Sequence, residues 1–259
     1  MKPHIPLLAL ALLAAGCGAP EDSFTIGVKY DQPGIGMQAD NGAPEGFDIE
    51  VAKYVAGRLG ERKIRWQEIR SADRETAIAD GTVDLVVASY SITPERTEKI
   101  GFAGPYFLAG QALMVRADET RITGPETVGT HTLCSVTGST SAQKVRDGFA
   151  KNVRLSEVSS YSECVTGLVN GSVDAVTTDD VLLAGYAAWY PGKVKILGRT
   201  MTQERYGIGL RKDDHVLHRR VTEAVQKMIS DGSWQRAIDR YISPSGYTPS
   251  AAPREFLPD

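Results

Sequence analysis

Residues 83–96, VDLVVASYSITPER, gather groups able to hold a small anion. Ser89 and Ser91 bring hydroxyls, and Arg96 brings a guanidinium that can grip a carboxylate through two parallel hydrogen bonds. The run Leu85-Val86-Val87-Ala88 is unbroken and apolar, as a strand buried on both faces would be. Thr93-Pro94-Glu95-Arg96 reads as a helix start, with Thr93 as cap, Pro94 at the first helical position and Glu95 at the positive end of the dipole. A strand that ends where a helix begins is where α/β proteins bind ligands, and the helix N-terminus favours an anion. The competing reading of these residues is a capped helix with a solvated arginine.

An internal echo adds a second wall. Gly81-Thr82-Val83-Asp84 recurs ninety positions later as Gly171-Ser172-Val173-Asp174. Chance or shared turn chemistry can produce four matching residues. The shared context of helix, turn, strand and polar strand end argues instead for two similarly built lobes facing one another. In register, Asp179 falls where Ser89 stands in the first copy. A carboxylate then faces the arginine, and a cation opposite an anion suits a zwitterion. Between the copies, Thr137-Gly138-Ser139-Thr140-Ser141 precedes a helix expected over 142–149, which leaves backbone N–H groups free for an anion. Asp84 and Asp174 themselves read as turn residues closing helix–strand joints.

The elements that must position these groups alternate. Strands are expected at 24–28, 64–66, 85–88, 111–116, 132–136, 153–158, 194–197 and 206–210. Helices are expected at 47–60, 74–79, 162–170, 181–189, 216–230 and 234–241. This is an α/β pattern of mostly parallel sheets covered by helices. The strand at 206–210 suggests a return to the first lobe. Residues 32–46, rich in Gly and Pro, read as loop, and the end from Pro244 reads as a poorly ordered tail.

The 259-residue chain carries a formal net charge of -3 and no basic stripe, which gives no support for a nucleic-acid partner. No apolar run approaches the roughly 20 residues of a spanning helix. Residues 1–16 read as a secretory signal. Ala14-Ala15-Gly16-Cys17 resembles a bacterial lipoprotein box, with Ala14 where leucine is usual. Lipidation at Cys17 would anchor the protein to the outer face of a membrane, with 17–23 as tether; the alternative is ordinary cleavage leaving a free thiol. Of the remaining cysteines, Cys134 and Cys164 are expected to pair, as is simplest in an exported protein; the alternative is two buried thiols. His131 reads as a loop residue, and His215 and His218 as flanking an exposed helix start. No phosphate loop, zinc motif or nucleophile elbow is present, so no metal, no cofactor and no catalytic residue is expected.

The chain resembles the extracellular solute-binding proteins of family 3, the amino-acid receptors of ABC importers, and among them the glutamate-binding lipoproteins of Gram-positive bacteria. The likeness rests on Gly46-Phe47-Asp48-Ile49-Glu50, Gly81 to Asp84, Ser91 to Arg96, Phe102-Ala103-Gly104-Pro105-Tyr106 and Val136 to Ser141. It implies a two-lobed fold of the type II periplasmic-binding-protein kind: lobe 1 over 24–107 and 206–243, lobe 2 over 108–205, and a tail over 244–259. The hinge would lie near 106–111 and 203–207. It implies that Arg96, Ser91 and the Thr140 N–H bind an α-carboxylate. Asp179 and the Ser89 carbonyl would bind an α-ammonium, and Tyr30 would pack over the ligand. Lys29 is expected to meet a distal carboxylate, or else to be a solvated lysine, and Thr137 and Ser139 to add hydroxyls. The expected ligand is glutamate, with aspartate and glutamine behind it, delivered by a monomeric receptor to a membrane permease. A sensing domain and a cyclohexadienyl-dehydratase-like enzyme are the alternatives.

Overall fold

Two buried sheets, each crossed by helices, carry the chain. A computed structural model describes residues 23–257 apart from 62, 150, 151 and 199. The signal and Cys17 lie outside the described residues. Strand β1 (Phe24–Val28) leads through three short strands, β2 (Asp31–Gln32), β3 (Gly36–Gln38) and β4 (Pro44–Glu45), to α1 (Phe47–Leu59). Then come β5 (Ile64–Glu68), α2 (Arg74–Ala79), β6 (Leu85–Val86), α3 (Pro94–Thr97) and β7 (Gly101–Ala109). The second lobe holds β8 (Gln111–Arg116), β9 (Thr132–Val136), α4 (Thr140–Lys144), β10 (Arg154–Val158), α5 (Tyr161–Asn170), β11 (Ala175–Asp179), α6 (Asp180–Trp189) and β12 (Val194–Leu197). The chain returns with β13 (Glu204–Leu210), α7 (His215–Ser230) and α8 (Ser233–Ala237).

The first sheet has the order β5-β1-β6-β13-β7 and the second β10-β9-β11-β8-β12. In each, β–α–β crossovers give parallel pairs, and two further strands join antiparallel. β13 does return to the first sheet, pairing with β7 from Glu204–Ala109 to Leu210–Gly101. That pairing places the crossings at Gly110 and just before Glu204, slightly displaced from the expected domain bounds. Gly110 is needed there: a Cβ would lie 2.6 Å from the Thr200 Cβ and 2.7 Å from the Thr202 carbonyl.

The amphipathic periods explain the helices. In α1 the inner residues Ile49, Val51, Ala52, Val55 and Leu59 are buried, and in α7 so are Val221, Ala224, Val225 and Met228. Phe47 of α1, Phe107 of β7 and Trp234 of α8 pack ring to ring, and the Trp234 indole donates to the Tyr106 carbonyl at 2.8 Å. In the second lobe a disulfide joins Cys134 of β9 to Cys164 of α5. Closing that loop contributes about 3–4 kcal/mol on the chain-entropy model.

The echoed tetrapeptides are structural twins. Thr25 N–H donates to the Asp84 carboxylate at 2.7 Å and Asp84 N–H returns a bond to the Thr25 carbonyl at 2.8 Å. Thr132 and Asp174 repeat both bonds, at 2.8 and 2.9 Å. Each aspartate, standing just before β6 or β11, thus ties that strand to its parallel neighbour, β1 or β9.

Three expectations change. Residues 32–46 form the small β2-β3-β4 sheet rather than a plain loop, because Gly36 and Gly46 allow backbone to approach backbone within 3 Å of where a Cβ would sit. The end of the chain is not loose: Leu257 N–H donates to the Gly104 carbonyl at 2.8 Å, and Tyr247, Ala252 and Phe256 pack against the main core. His218 lies on the inner side of α7, buried, with its Nε2 at 2.7 Å from the Phe102 carbonyl.

Candidate functional site

The strand ends of the two lobes face each other across a nearly closed cleft. On the first wall all of Leu85 to Ala88 is buried, although only Leu85–Val86 pairs as strand. The chain then kinks at Ser89, whose φ of 43° lies in the left-handed region. Asp48 holds that kink, accepting from the Ser89 N–H at 2.7 Å and from the Tyr106 hydroxyl at 2.9 Å. Burial pushes the Asp48 carboxyl up to about 7. The Thr93 hydroxyl caps α3 by accepting from Arg96 N–H at 3.3 Å, with Pro94 inside the first turn.

This short helix turns the Arg96 guanidinium back into the cleft. It donates to the Ser91 carbonyl at 2.7 Å and pairs with Glu75 at 3.2 Å. It is buried, so the solvated-arginine reading does not hold. A second cation, Arg74 at the start of α2, lines the same cavity. Its guanidinium donates to Ser71 O and Ala88 O, both at 3.1 Å, and stands 4.0 Å over the Tyr90 ring. Arg74 and Arg96 both reach across the cleft to the Gly138 carbonyl, at 3.3 and 2.9 Å. Burial and Arg96 together lower Arg74 to about 10.

On the second wall Asp179 ends β11. One carboxylate oxygen accepts from the Tyr206 hydroxyl at 2.5 Å; the other, Oδ1, is buried without a hydrogen-bond partner. Burial and the neighbouring Glu204 push Asp179 up to about 8. A buried acceptor left unpaired is costly, and an incoming ammonium would satisfy it. Beside it, Ser139 caps α4 through Ala142 N–H at 3.0 Å, and Thr140 is the first helical residue, with an N–H that has no intrahelical partner. Gln111 steadies this corner, donating to Ser141 O at 3.3 Å and Thr177 Oγ1 at 2.8 Å.

The cavity between the walls is lined by residues including Arg74, Ser89, Ser91, Arg96, Thr140 and Asp179. So little open volume remains, about 10 Å³, that the lobes must part to admit a ligand. Among the described residues no group of three or more His, Cys, Asp and Glu side chains could hold a metal ion.

Residues 24–244 match the family of bacterial extracellular solute-binding proteins, family 3. The chain belongs to that family. Glutamate-binding protein GluB of Corynebacterium efficiens is 44% identical over 228 residues, covering 83% of this chain and 77% of that protein. The ABC transporter glutamine-binding protein GlnH of Bacillus subtilis is 33% identical, covering 85% and 81%. Among solved structures, an ancestral arginine-binding protein bound to arginine superposes with a TM-score of 0.80 at 32% identity, covering 85% of this chain and 97% of that one.

Within this family-3 chain the expected residues divide. Arg96, Ser91, Ser89, Thr140, Ser139 and Asp179 come together around the cavity. Tyr30 and Thr137 are not brought into its lining. Tyr30 packs half-buried against the main core and Thr137 is exposed. Lys29 is buried one layer behind: its ammonium donates to the Ile69 carbonyl at 2.8 Å and the Ser71 hydroxyl at 3.0 Å. Burial and Arg74 lower it to about 7. Sequence reasoning missed Arg74, Ser71, Tyr161 and Tyr206. Arg74 had a signal: it sits four residues before the buried Ile78 and so on the inner face of α2. Tyr161 and Tyr206 had none, because each comes from an element distant in sequence.

Proposed function

We propose that this protein captures glutamate between its lobes and presents it, with the lobes closed, to the membrane permease of an ABC importer. The observation that carries the reading is the charge pattern: two buried guanidiniums with a lysine behind them on one wall, and a buried carboxylate oxygen without a partner on the other. Glutamate has two carboxylates and one ammonium to match. Arg96, Ser91 and the Thr140 N–H take the α-carboxylate, and Asp179 with the Ser89 carbonyl takes the α-ammonium. Arg74 and Ser71 take the distal carboxylate, with Lys29 adding charge through Ser71. Both guanidiniums already point into the cleft, each donating to the Gly138 carbonyl of the opposite lobe. Aspartate and glutamine rank behind, since one is shorter and the other offers no second carboxylate to Arg74. The receptor works as an exported monomer, held to the membrane by lipid on Cys17.

Ligands bound by the native state alone raise its stability. Glutamate at about a thousand times its dissociation constant adds about 4 kcal/mol, a rise on the order of 10 °C in Tm for this size. Thermal unfolding of the mature protein against each common amino acid reads this directly. A large shift with glutamate supports the assignment. A larger shift with a neutral or basic amino acid discards the distal subsite, and no shift with any amino acid discards the receptor.

A further inference from the structure

Beside the cavity the lobes meet through a second set of contacts that uses none of the side chains lining it. Asp31, just beyond β1, sends its carboxylate across the cleft to the start of α5. Its Oδ2 accepts from the backbone N–H groups of Tyr161, at 2.9 Å, and Ser162, at 3.5 Å. The helix's own cap, Ser160, satisfies the Glu163 N–H at 3.3 Å, so the first two donors are left for the other lobe to fill. A carboxylate there also meets the positive end of the helix dipole. The Tyr186 hydroxyl of α6 adds a bond to the Asp31 carbonyl at 2.5 Å. Two residues on, the Pro33 carbonyl presses against α6 at Gly185, where a Cβ would lie 2.3 Å from the oxygen. Only a residue without a side chain lets the lobes seat.

We propose that Asp31 is a closure latch: a positioning residue that holds lobe 1 against α5 and α6 and so sets how long the ligand stays, with Gly185 as the gap into which the latch closes. The proposal rests on the reading of the protein as a closing amino-acid receptor. The ligand enters the open form, in which the latch is unmade, so the latch acts on departure and not on arrival.

Stopped-flow binding of glutamate separates the two rates. D31A should raise koff about tenfold, equivalent to about 1.4 kcal/mol, with kon within about twofold. D31N keeps an acceptor and loses the charge, and should fall between. G185A is the diagnostic variant. Alanine favours a helix over glycine, so ligand-free Tm should hold or rise while koff also rises. A merely structural position would lower Tm and leave the rates alone. Unchanged koff in both D31N and G185A, or a loss carried by kon, overturns the latch. If wild type binds no amino acid, the receptor reading fails and the latch is read on its own from spin-label distances between the lobes of ligand-free protein. A shift to longer distances in D31A and G185A sustains it, and superimposable distributions overturn it.

Discussion

In the first lobe β6 leaves its sheet after Val86, and residues 87–93 intervene before α3 begins at Pro94. In the second, β11 runs on to Asp179 and α6 starts at the next residue. Both strands follow the same glycine turn and the same aspartate clamp. The first lobe spends the extra residues on a kink, held by Asp48, that exposes backbone groups and lets a one-turn helix swing a guanidinium inward. The second puts a carboxylate directly at the strand end, with no slack. One joint, used twice, yields a cationic wall and an anionic wall because the loop lengths differ. A clamp needs that asymmetry to hold a molecule carrying both charges.

Removing the charge from each wall tests the comparison most severely. Arg96→Ala should leave a bound carboxylate buried without its partner, a loss of about 3–5 kcal/mol, or from about a hundredfold to several thousandfold in Kd. Calorimetry on the folded variant checks it, and tight binding would end the assignment of the cationic wall. The lobes also differ in how they are braced. Cys134→Ser with Cys164→Ser should lower unfolding free energy by about 3–4 kcal/mol, read by denaturant titration. If the lobes unfold separately, only the transition of the second should move. Arg74→Met should weaken glutamate by about 2 kcal/mol, roughly thirtyfold, and glutamine by less, since only the former offers a distal charge. Equal losses for both ligands would place Arg74 outside the distal subsite.

Protonation distinguishes the walls further. Asp179 is raised to about 8, above its ordinary value, so the folded state holds a proton that the unfolded state has lost. Its contribution to ligand-free stability therefore declines as pH rises between the unfolded value, about 4, and about 8. The ammonium pairs with the ionised form, so glutamate affinity should rise over the upper part of that window, with proton release on binding. Calorimetry in buffers of different ionisation enthalpy measures the release, and Asp179→Asn should abolish it. The smallest effect concerns the shared joint. Asp84→Ala and Asp174→Ala each remove a clamp of the same geometry and should cost about 1–2 kcal/mol apiece. A markedly larger loss at one of them would show that the twin joints are not equivalent in stability.

Much of this was legible in the sequence. The buried run before Ser89, the cap at Thr93, the echo that placed Asp179 opposite Arg96, and the pairing of Cys134 with Cys164 all depend on local pattern or simple counting. Most of the expected elements came through with bounds shifted by a residue or two, because period and capping are local properties; α4 and α8 pass into π-helical turns at Val145–Phe149 and Ile238–Ile242, and β7 was not among the expected strands. The small sheet over 31–45 escaped because strands of two or three residues carry no period. The tail escaped because its binding to Gly104 and the core follows from a groove that exists only once lobe 1 is folded. Lys29 shows the limit most clearly. Its place at the strand end was evident, but whether it faced the cavity or lay behind Ser71 depended on where the chain around Ile69 ran.

The sequence by itself determined two α/β lobes, an arginine at one strand end and an aspartate at the other, since hydrophobic period, helix caps and an internal repeat are written residue by residue. Only the tertiary structure decided which cations share the cavity, that Tyr206 holds one oxygen of Asp179 and leaves the other unpaired, and that Asp31 reaches across to α5. Those contacts join residues from 27 to 130 positions apart. Their existence depends on how closely the two lobes approach, which is a property of the packed hinge and of glycines at 110, 138 and 185, where backbone meets backbone and no local pattern announces it.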